Sequence, residues 1–259
     1  MDLTDATALV TGANRGIGRA ITERLAQRPL RLVLAAVRDP AKFEPIAGRA
    51  EVRPVALDLG SPESIDAGLE AIDLAGVDLL VNNAGQLSAG LLEDQELDAI
   101  YSMLQVNLNA VVHLTYRVLP HMLSRGRGTV LNNASISGYA FFPAASTYSA
   151  SKAGVVGFSE SLRRELDGTG VNVLHAVTPG VDTEMLDETE AIYGRHLDTS
   201  AWTRVKPEEW AEKVLESVEA DRHIVGPGGR VAFAKLASRG PAQVLDFVMS
   251  RAFSRQPRK

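Results

Sequence analysis

The stretch LVTGANRGIGRA, residues 9–20, sets glycines at 12, 16 and 18 between a short branched apolar run and an amphipathic helical pattern. A chain that leaves a strand and enters a helix so abruptly needs positions without Cβ. The helix start it exposes offers bare N–H groups and a dipole that favours an anion. The spacing is Gly-x3-Gly-x-Gly rather than the Gly-x-Gly-x2-Gly of the common dinucleotide fingerprint. A glycine-rich turn alone is weak evidence. At the first strand-to-helix handover of a chain, it reads as a phosphate-binding loop.

Working outward, short branched apolar runs recur at residues 6–10, 31–37, 52–57, 77–81, 128–132 and 171–177. They read as strands buried on both faces. Helical periodicity lies between them, in Ile17, Ala20, Ile21 and Leu25, in Ile65, Leu69 and Ile72, and in a long pattern through Ile100, Leu104, Leu108, Val111, Val112 and Leu119. Such alternation predicts an α/β fold, a doubly wound parallel sheet of the Rossmann type with helices on both faces. No Pro-, Gly- or Ser-rich linker divides the series, so one domain is expected over residues 1–229. Residues 182–206 break the pattern and are expected to form a mobile segment over a site. Residues 230–259 carry an apolar face on a basic background and predict two short amphipathic helices, an extension of the same domain.

Composition narrows the function. The chain of 259 residues has 27 Lys and Arg against 32 Asp and Glu, a net charge of −5, which argues against a nucleic-acid partner. It has no cysteine, so disulfides, thiolate metal sites and a cysteine nucleophile are excluded. Neither a signal-peptide pattern nor an apolar run of roughly 18 residues is present, and a soluble, cytoplasmic protein is expected. His113, His121, His175, His196 and His223 show no ligand spacing, so no metal is expected. The basic tail leaves a membrane surface open as a partner, but packing on the chain's own acidic body or on a second subunit is favoured.

In doubly wound folds the end of the second strand meets the adenosine ribose, where an acid accepts from a 2′-hydroxyl and an arginine accommodates a 2′-phosphate. Here that strand ends at Val37 and is followed by Arg38. Arg15 in the glycine loop offers a second cation. Asp39, the competing acid, stands before Pro40 in a turn or helix-cap position. NADP is favoured over NAD.

One further short stretch, YSASK at 148–152, places Tyr148 four residues before Lys152, one above the other on a helix. An ammonium beside a phenol favours the phenolate and predicts a pKa below the ordinary value of about 10. With TGANRGIG at 11–18, LDL at 57–59, NNAG at 82–85, VNL at 106–108, Ser135 and TPGVDT at 178–183, the chain resembles the short-chain dehydrogenases/reductases in their single-domain form. The resemblance covers residues 5 to about 225. It implies that Tyr148 is the general acid or base, that Lys152 tunes it and binds the nicotinamide ribose, and that Ser135 donates to the reacting oxygen. Asn107 would hold a water that links Lys152 to solvent. Gly12, Asn14, Arg15, Gly16, Ile17, Gly18 and Arg38 would contact the cofactor, as would Asp58 and Leu59 near the adenine. Asn83, Ala84 and Gly85, and then Pro179, Gly180 and Thr183 at the nicotinamide end, would complete its site.

The expected reaction is hydride transfer between a carbonyl and an alcohol, with a catalytically silent cofactor-binding sensor or scaffold as the alternative. Gly138, Tyr139, Phe141, Phe142 and Pro143 bring no cation near Tyr148, which favours an apolar or aromatic substrate. Met185, Leu186, Tyr193 and Trp202 are candidates for its pocket. Arg195, His196 and Arg204 leave an acidic substrate open. A homodimer or homotetramer is expected, although HIVGPGGRVAFAKLASRG at 223–240 departs from the family and indicates loss of its frequent final strand.

Overall fold

The computed structural model describes residues 1–197, 199, 202, 204–226, 228 and 253–256. Seven strands form one sheet: β1 (Thr7–Thr11), β2 (Leu32–Val37), β3 (Glu51–Ala56), β4 (Leu79–Asn82), β5 (Gly128–Asn133), β6 (Val171–Ala176) and β7 (Ile224–Val225). Their order is β3-β2-β1-β4-β5-β6-β7, and every pairing is parallel. The first six coincide with the six apolar runs. The seventh corrects the reading of the C-terminal region, because Ile224 and Val225 pair with His175 and Ala176 of β6. Two residues are too few to show an alternation. Their register comes from flanking main-chain bonds, His175 N to His223 O and Val177 N to Val225 O.

The strands sort their side chains by parity, as a pleat requires. Ala8 and Val10 of β1 join a core layer with α1 (Gly16–Ala26) and α8 (Pro207–Glu219), through Ile21 and Leu25 and through Trp210 and Val214. Leu9 faces the other side, with Ile65 and Leu69 of α2 (Pro62–Leu69), Leu114 and Val118 of α4 (Ala110–Arg125), and Leu162 of α6 (Ser146–Glu165). β3 is an edge strand, half exposed along its length, and there it tolerates Pro54.

The long helical pattern from Ile100 onward is not one helix. α3 (Leu97–Leu104) passes through a π-helical turn, Gln105–Asn109, into α4, which ends at Gly126 in the left-handed region with φ 62°. Such turns are often found at functional sites. The segment expected to be mobile contains α7 (Glu184–Tyr193). Most of the basic tail, and the two helices expected in it, lie outside the described residues. Its described piece returns to the body, where Phe253 bridges antiparallel to Leu197 and Ser254 N donates to His196 O at 2.8 Å. Among the described residues, no helix is long and apolar enough to cross a membrane.

Strand order reverses between β1 and β4, and in open α/β sheets the crevice beyond the strand ends at that point is the usual ligand site.

Candidate active site

A cleft of about 1470 Å³ opens at that crevice. Its first wall is the glycine loop. Gly12 has φ 65°, and a Cβ there would sit 3.0 Å from Ala84 Cα. At Gly18 a Cβ would lie 2.2 Å from Gly12 O and 2.4 Å from Asn83 Nδ2, so only glycine lets α1 begin this close to β1 and β4. Arg15 caps α1 with no side-chain bond, and the first turn carries no acid, which leaves its amides and dipole available to an anion. Asn14, Gly16 and Ile17 line the same wall.

Beyond β2 the structure places Arg38 exposed on the cleft. Asp39 caps the short 3₁₀ turn Pro40–Lys42 by accepting from Ala41 N at 3.1 Å, as its place before Pro40 indicated. Arg15 is different from expectation. Its guanidinium pairs with Glu184 at 2.7 Å, across the mouth of the cleft, rather than pointing with Arg38 at one spot. Asp58 and Leu59 line the cleft, and Asp58 Oδ1 accepts from Gly60 N at 3.0 Å.

The floor is a buried polar lattice. Thr11 Oγ1 accepts from Asn83 N at 2.9 Å and Ala84 N at 3.0 Å, while Asn83 Nδ2 returns a bond to Thr11 O. Asn82 and Asn132 are opposite one another in the β4–β5 register and bonded at 2.8 Å, and Asn132 continues to Ser159 of α6. Asn133 Nδ2 donates to Asn83 Oδ1, and Asn133 O accepts from Lys152 Nζ at 2.8 Å. The sequence reading missed Asn133. The signal was present, because a pair of asparagines stands at the end of each of two adjacent strands, Asn82 and Asn83 at and just past the end of β4, and Asn132 and Asn133 closing β5.

Asn107, in the π turn, is 1% exposed. Its Oδ1 accepts from Gln86 N at 2.8 Å, and its Nδ2 donates to Gln86 O and Ser151 Oγ. The amide therefore ties the loop after β4 to α6. Neighbouring Asn109 is exposed and bonded to Gln105.

Tyr148 lies in the first turn of α6, with Lys152 one turn on and its Nζ 5.8 Å from the phenol ring centroid. Ser135, at the end of β5, hydrogen-bonds the Tyr148 side chain and also accepts from Ser137 N at 3.1 Å. Ser137 itself belongs to the short helix α5 (Ser137–Ala140). Burial pushes the Tyr148 phenol up to about 12, a rise that the Ser135 bond only partly offsets. This corrects the expected downward shift. The same burial pushes Lys152 down to about 8, so the cation that was to pull on the phenol is itself weakened.

Past Tyr148 the cleft turns apolar. Phe142, Met185, Leu186, Tyr193 and Trp202 line it, with Trp202 tilted 6.1 Å from Phe142 and edge-on 5.8 Å from Tyr193. Pro179, Gly180 and Thr183 border the same space. Two of the three groups that left an acidic substrate open are engaged within the chain. Arg204 is held by Asp182 and Asp187 at 2.7 and 2.8 Å and by Glu190 at 2.7 Å. His196 is buried against the tail, with its Nδ1 3.0 Å from Ser254 O, and Arg195 is exposed. Among the described residues, no group of three potential metal ligands converges.

Known proteins bear on this geometry. Residues 6–193 match the family model described as short chain dehydrogenase. An uncharacterized oxidoreductase of Staphylococcus aureus (strain USA300) is 34% identical over 231 residues, 86% of this chain and 94% of that protein. A short chain dehydrogenase from Burkholderia cenocepacia J2315, solved in complex with NADP, superposes with a TM-score of 0.82 at 25% identity, covering 96% of this chain and 99% of that one. A short-chain dehydrogenase from Sphingobium yanoikuyae in complex with NADPH gives 0.75 at 25% identity, covering 97% and 98%. The sheet order, the glycine loop at the switch point and the Tyr-x3-Lys helix thus sit in a chain that belongs to the short-chain dehydrogenases, a family of oxidoreductases.

Proposed function

We propose that this oxidoreductase uses NADP to interconvert a carbonyl and an alcohol on a neutral, apolar or aromatic substrate. The observation that carries the reading is the meeting of Ser135, Tyr148 and Lys152 at the boundary between the polar and apolar halves of one cleft.

The cleft fits the cofactor on its own terms. A helix start without a side-chain cap favours a diphosphate, and the glycine at 18 lets that start lie against β1. Arg38 is exposed where a 2′-phosphate would be accommodated, and the competing acid Asp39 is engaged as a cap. Two structural neighbours were solved with NADP or NADPH, which supports the same preference. NAD is disfavoured for lack of an acid at the end of β2. The cofactor-binding set is Gly12, Asn14, Arg15, Gly16, Ile17, Gly18, Arg38, Asp58, Leu59, Asn83, Ala84, Gly85, Tyr148, Lys152, Pro179, Gly180 and Thr183. Arg15 would join it by exchanging Glu184 for the phosphate.

Bound NADPH supplies the hydride that reaches the carbonyl carbon. The oxygen then carries developing negative charge, and the protein must donate to it. Tyr148, kept neutral by burial, gives its phenolic proton: the Tyr148 O–H bond breaks and the alcohol O–H bond forms. Ser135 donates to the same oxygen. The phenolate left behind is stabilised by the Lys152 ammonium and regains its proton through that side, and alcohol oxidation runs the same steps backward. Asn107 acts by bracing the loop at Gly85 and Gln86 against α6. A homodimer or homotetramer is the proposed assembly.

Initial rates on neutral aryl ketones with NADPH test this reading. Tyr148→Phe is expected to lower kcat/KM by about 10² to 10⁴ while NADPH binding, followed by fluorescence, is retained. Near wild-type turnover in that variant sinks the assignment.

A further inference from the structure

Tyr193 is the last residue of α7 and is 1% exposed, yet its hydroxyl is buried without a hydrogen-bond partner among the described residues. A buried hydroxyl without a partner is costly and calls for an explanation. The cost is not a matter of loose placement. Trp202 packs edge-on against the ring, Ala145 and Leu197 share its apolar cluster, and Arg204 clamps the preceding turns of α7 through Asp187 and Glu190. The phenol is held in the wall of the cleft that also carries Tyr148 and Ser135. Its own ionisation is pushed far up by burial and by the charge that Tyr148 would carry, so it stays a donor throughout the working range.

What it donates to follows from counting lone pairs. A carbonyl oxygen has two acceptor sites. In the reaction proposed above they are taken by Tyr148 and Ser135, so a third donor finds no place on the reacting oxygen. Other polar groups on this wall are engaged: Thr189 Oγ1 donates to Met185 O, and Asp182 and Glu184 are paired with Arg204 and Arg15. We infer that Tyr193 is a substrate-binding residue whose phenol donates to a second oxygen of the substrate. The substrate class is then a neutral aromatic ketone that carries a further uncharged oxygen acceptor close to the reacting carbonyl. This inference rests on the carbonyl-reductase reading and deepens it. A carboxylate in place of that oxygen is disfavoured, because a neutral phenol in an apolar wall does not balance a buried charge.

The test compares two ketones of matched length, ethyl benzoylformate and valerophenone, of which only the first has oxygens next to the reacting carbonyl. Each is assayed with NADPH in the wild type and in Tyr193→Phe. Intrinsic electrophilicity differs between the ketones but cancels when their kcat/KM ratio is compared between the two proteins. The ratio is expected to fall about tenfold or more in Tyr193→Phe, since a polar acceptor facing a lost donor is what discriminates. Thermal stability of the ligand-free variant is expected to be unchanged or higher, because the substitution removes only an unpartnered oxygen. A clear fall in Tm, or equal losses on both ketones, identifies a structural role and overturns the inference. An unchanged ratio overturns it too and leaves carbonyl reduction standing. Absence of wild-type turnover on both ketones overturns the inference and the carbonyl-reductase reading together.

Discussion

The floor and the roof of the cleft are built on different physics. The floor, at the strand ends and α6, is a lattice of short hydrogen bonds between buried groups: Thr11 with Asn83 and Ala84, Asn82 with Asn132, and Asn133 with Lys152. The roof, α7 and the residues around it, is held from outside by exposed ion pairs, Arg15 with Glu184 and Arg204 with its three acids. A buried hydrogen-bonded network is stiff and hardly screened by salt, and here Asn82 Oδ1 is its one buried side-chain atom without a partner among the described residues. Exposed pairs are each worth about 0–1 kcal/mol and weaken as ionic strength rises. In the proposed mechanism the groups that move protons therefore stand on the stiff half, while the groups proposed to grip the substrate stand on the half that can yield.

The largest effect should come from wedging the floor apart. Gly18→Ala would force a Cβ to within 2.2 Å of a backbone carbonyl, which has nowhere to go. Overpacking of this kind costs about 1–3 kcal/mol or more, and here it also displaces α1 from the anion site. NADPH binding by fluorescence titration is expected to be lost, with a lower Tm. Gly157→Ala is the control, because a Cβ there meets nothing within 4 Å on the same fold, and both readouts should hold. If the two variants behave alike, the floor is not the rigid element claimed for it.

A second test uses the proton on Lys152. Its folded pKa, near 8, lies below its ordinary 10.5, so the folded chain releases that proton before the unfolded chain does. Between about pH 8 and 10.5 the unfolded state binds more protons, so this group makes ligand-free stability rise with pH. Its contribution is lost as pH falls through 8. Tyr148 has the opposite sign, since a folded pKa near 12 lets stability fall between about pH 10 and 12. Cofactor affinity should weaken several-fold above pH 8 as the ammonium is lost. Lys152→Met should bind weakly at every pH and show no such inflection in NADPH titrations from pH 7 to 10. A persistent inflection assigns the titration to another group.

The same division governs what could be read in the sequence. The floor is written in contiguous pieces whose spacing is enforced locally: a turn that must lack Cβ at Gly12 and Gly18, a helical pair at Tyr148 and Lys152, and six branched apolar runs. The roof is scattered over Phe142, Met185, Tyr193 and Trp202: the last three are pocket candidates in the sequence already, but their packing on one another exists only once the chain has folded, so the stretch was read as mobile and its helix was missed. Arg204 looked like a spare cation because its acids lie 14 to 22 residues away, on turns whose geometry no local pattern reveals. The direction of the Tyr148 shift was misread for a related reason. Proximity to Lys152 is visible in a spacing of four, but desolvation belongs to the whole cleft. The π turn at Gln105–Asn109 escaped because the spacing of four through Ile100, Leu104 and Leu108 fits an ordinary α-helical stripe equally well.

The smallest effect should be at the roof's outer clamp. Arg204 is about one third exposed and engages Asp182, Asp187 and Glu190, so Arg204→Ala leaves three acids unbalanced along α7 and the residues just before it. Each lost pair is exposed and screened by solvent, so the change in global stability should be small. The consequence should instead appear in Tyr193 and Trp202, whose positions depend on that helix. KM for an aryl ketone is expected to rise several-fold, with kcat and NADPH affinity near wild type, because no floor residue is touched. Salt supplies a check without mutation: raising ionic strength toward 1 M should move the wild-type KM part of the way toward the variant's value and leave the variant almost unchanged. A fall in kcat that matches the rise in KM would show that the roof helps to set the reacting geometry as well. The separation between a stiff chemical floor and a yielding grip would then fail.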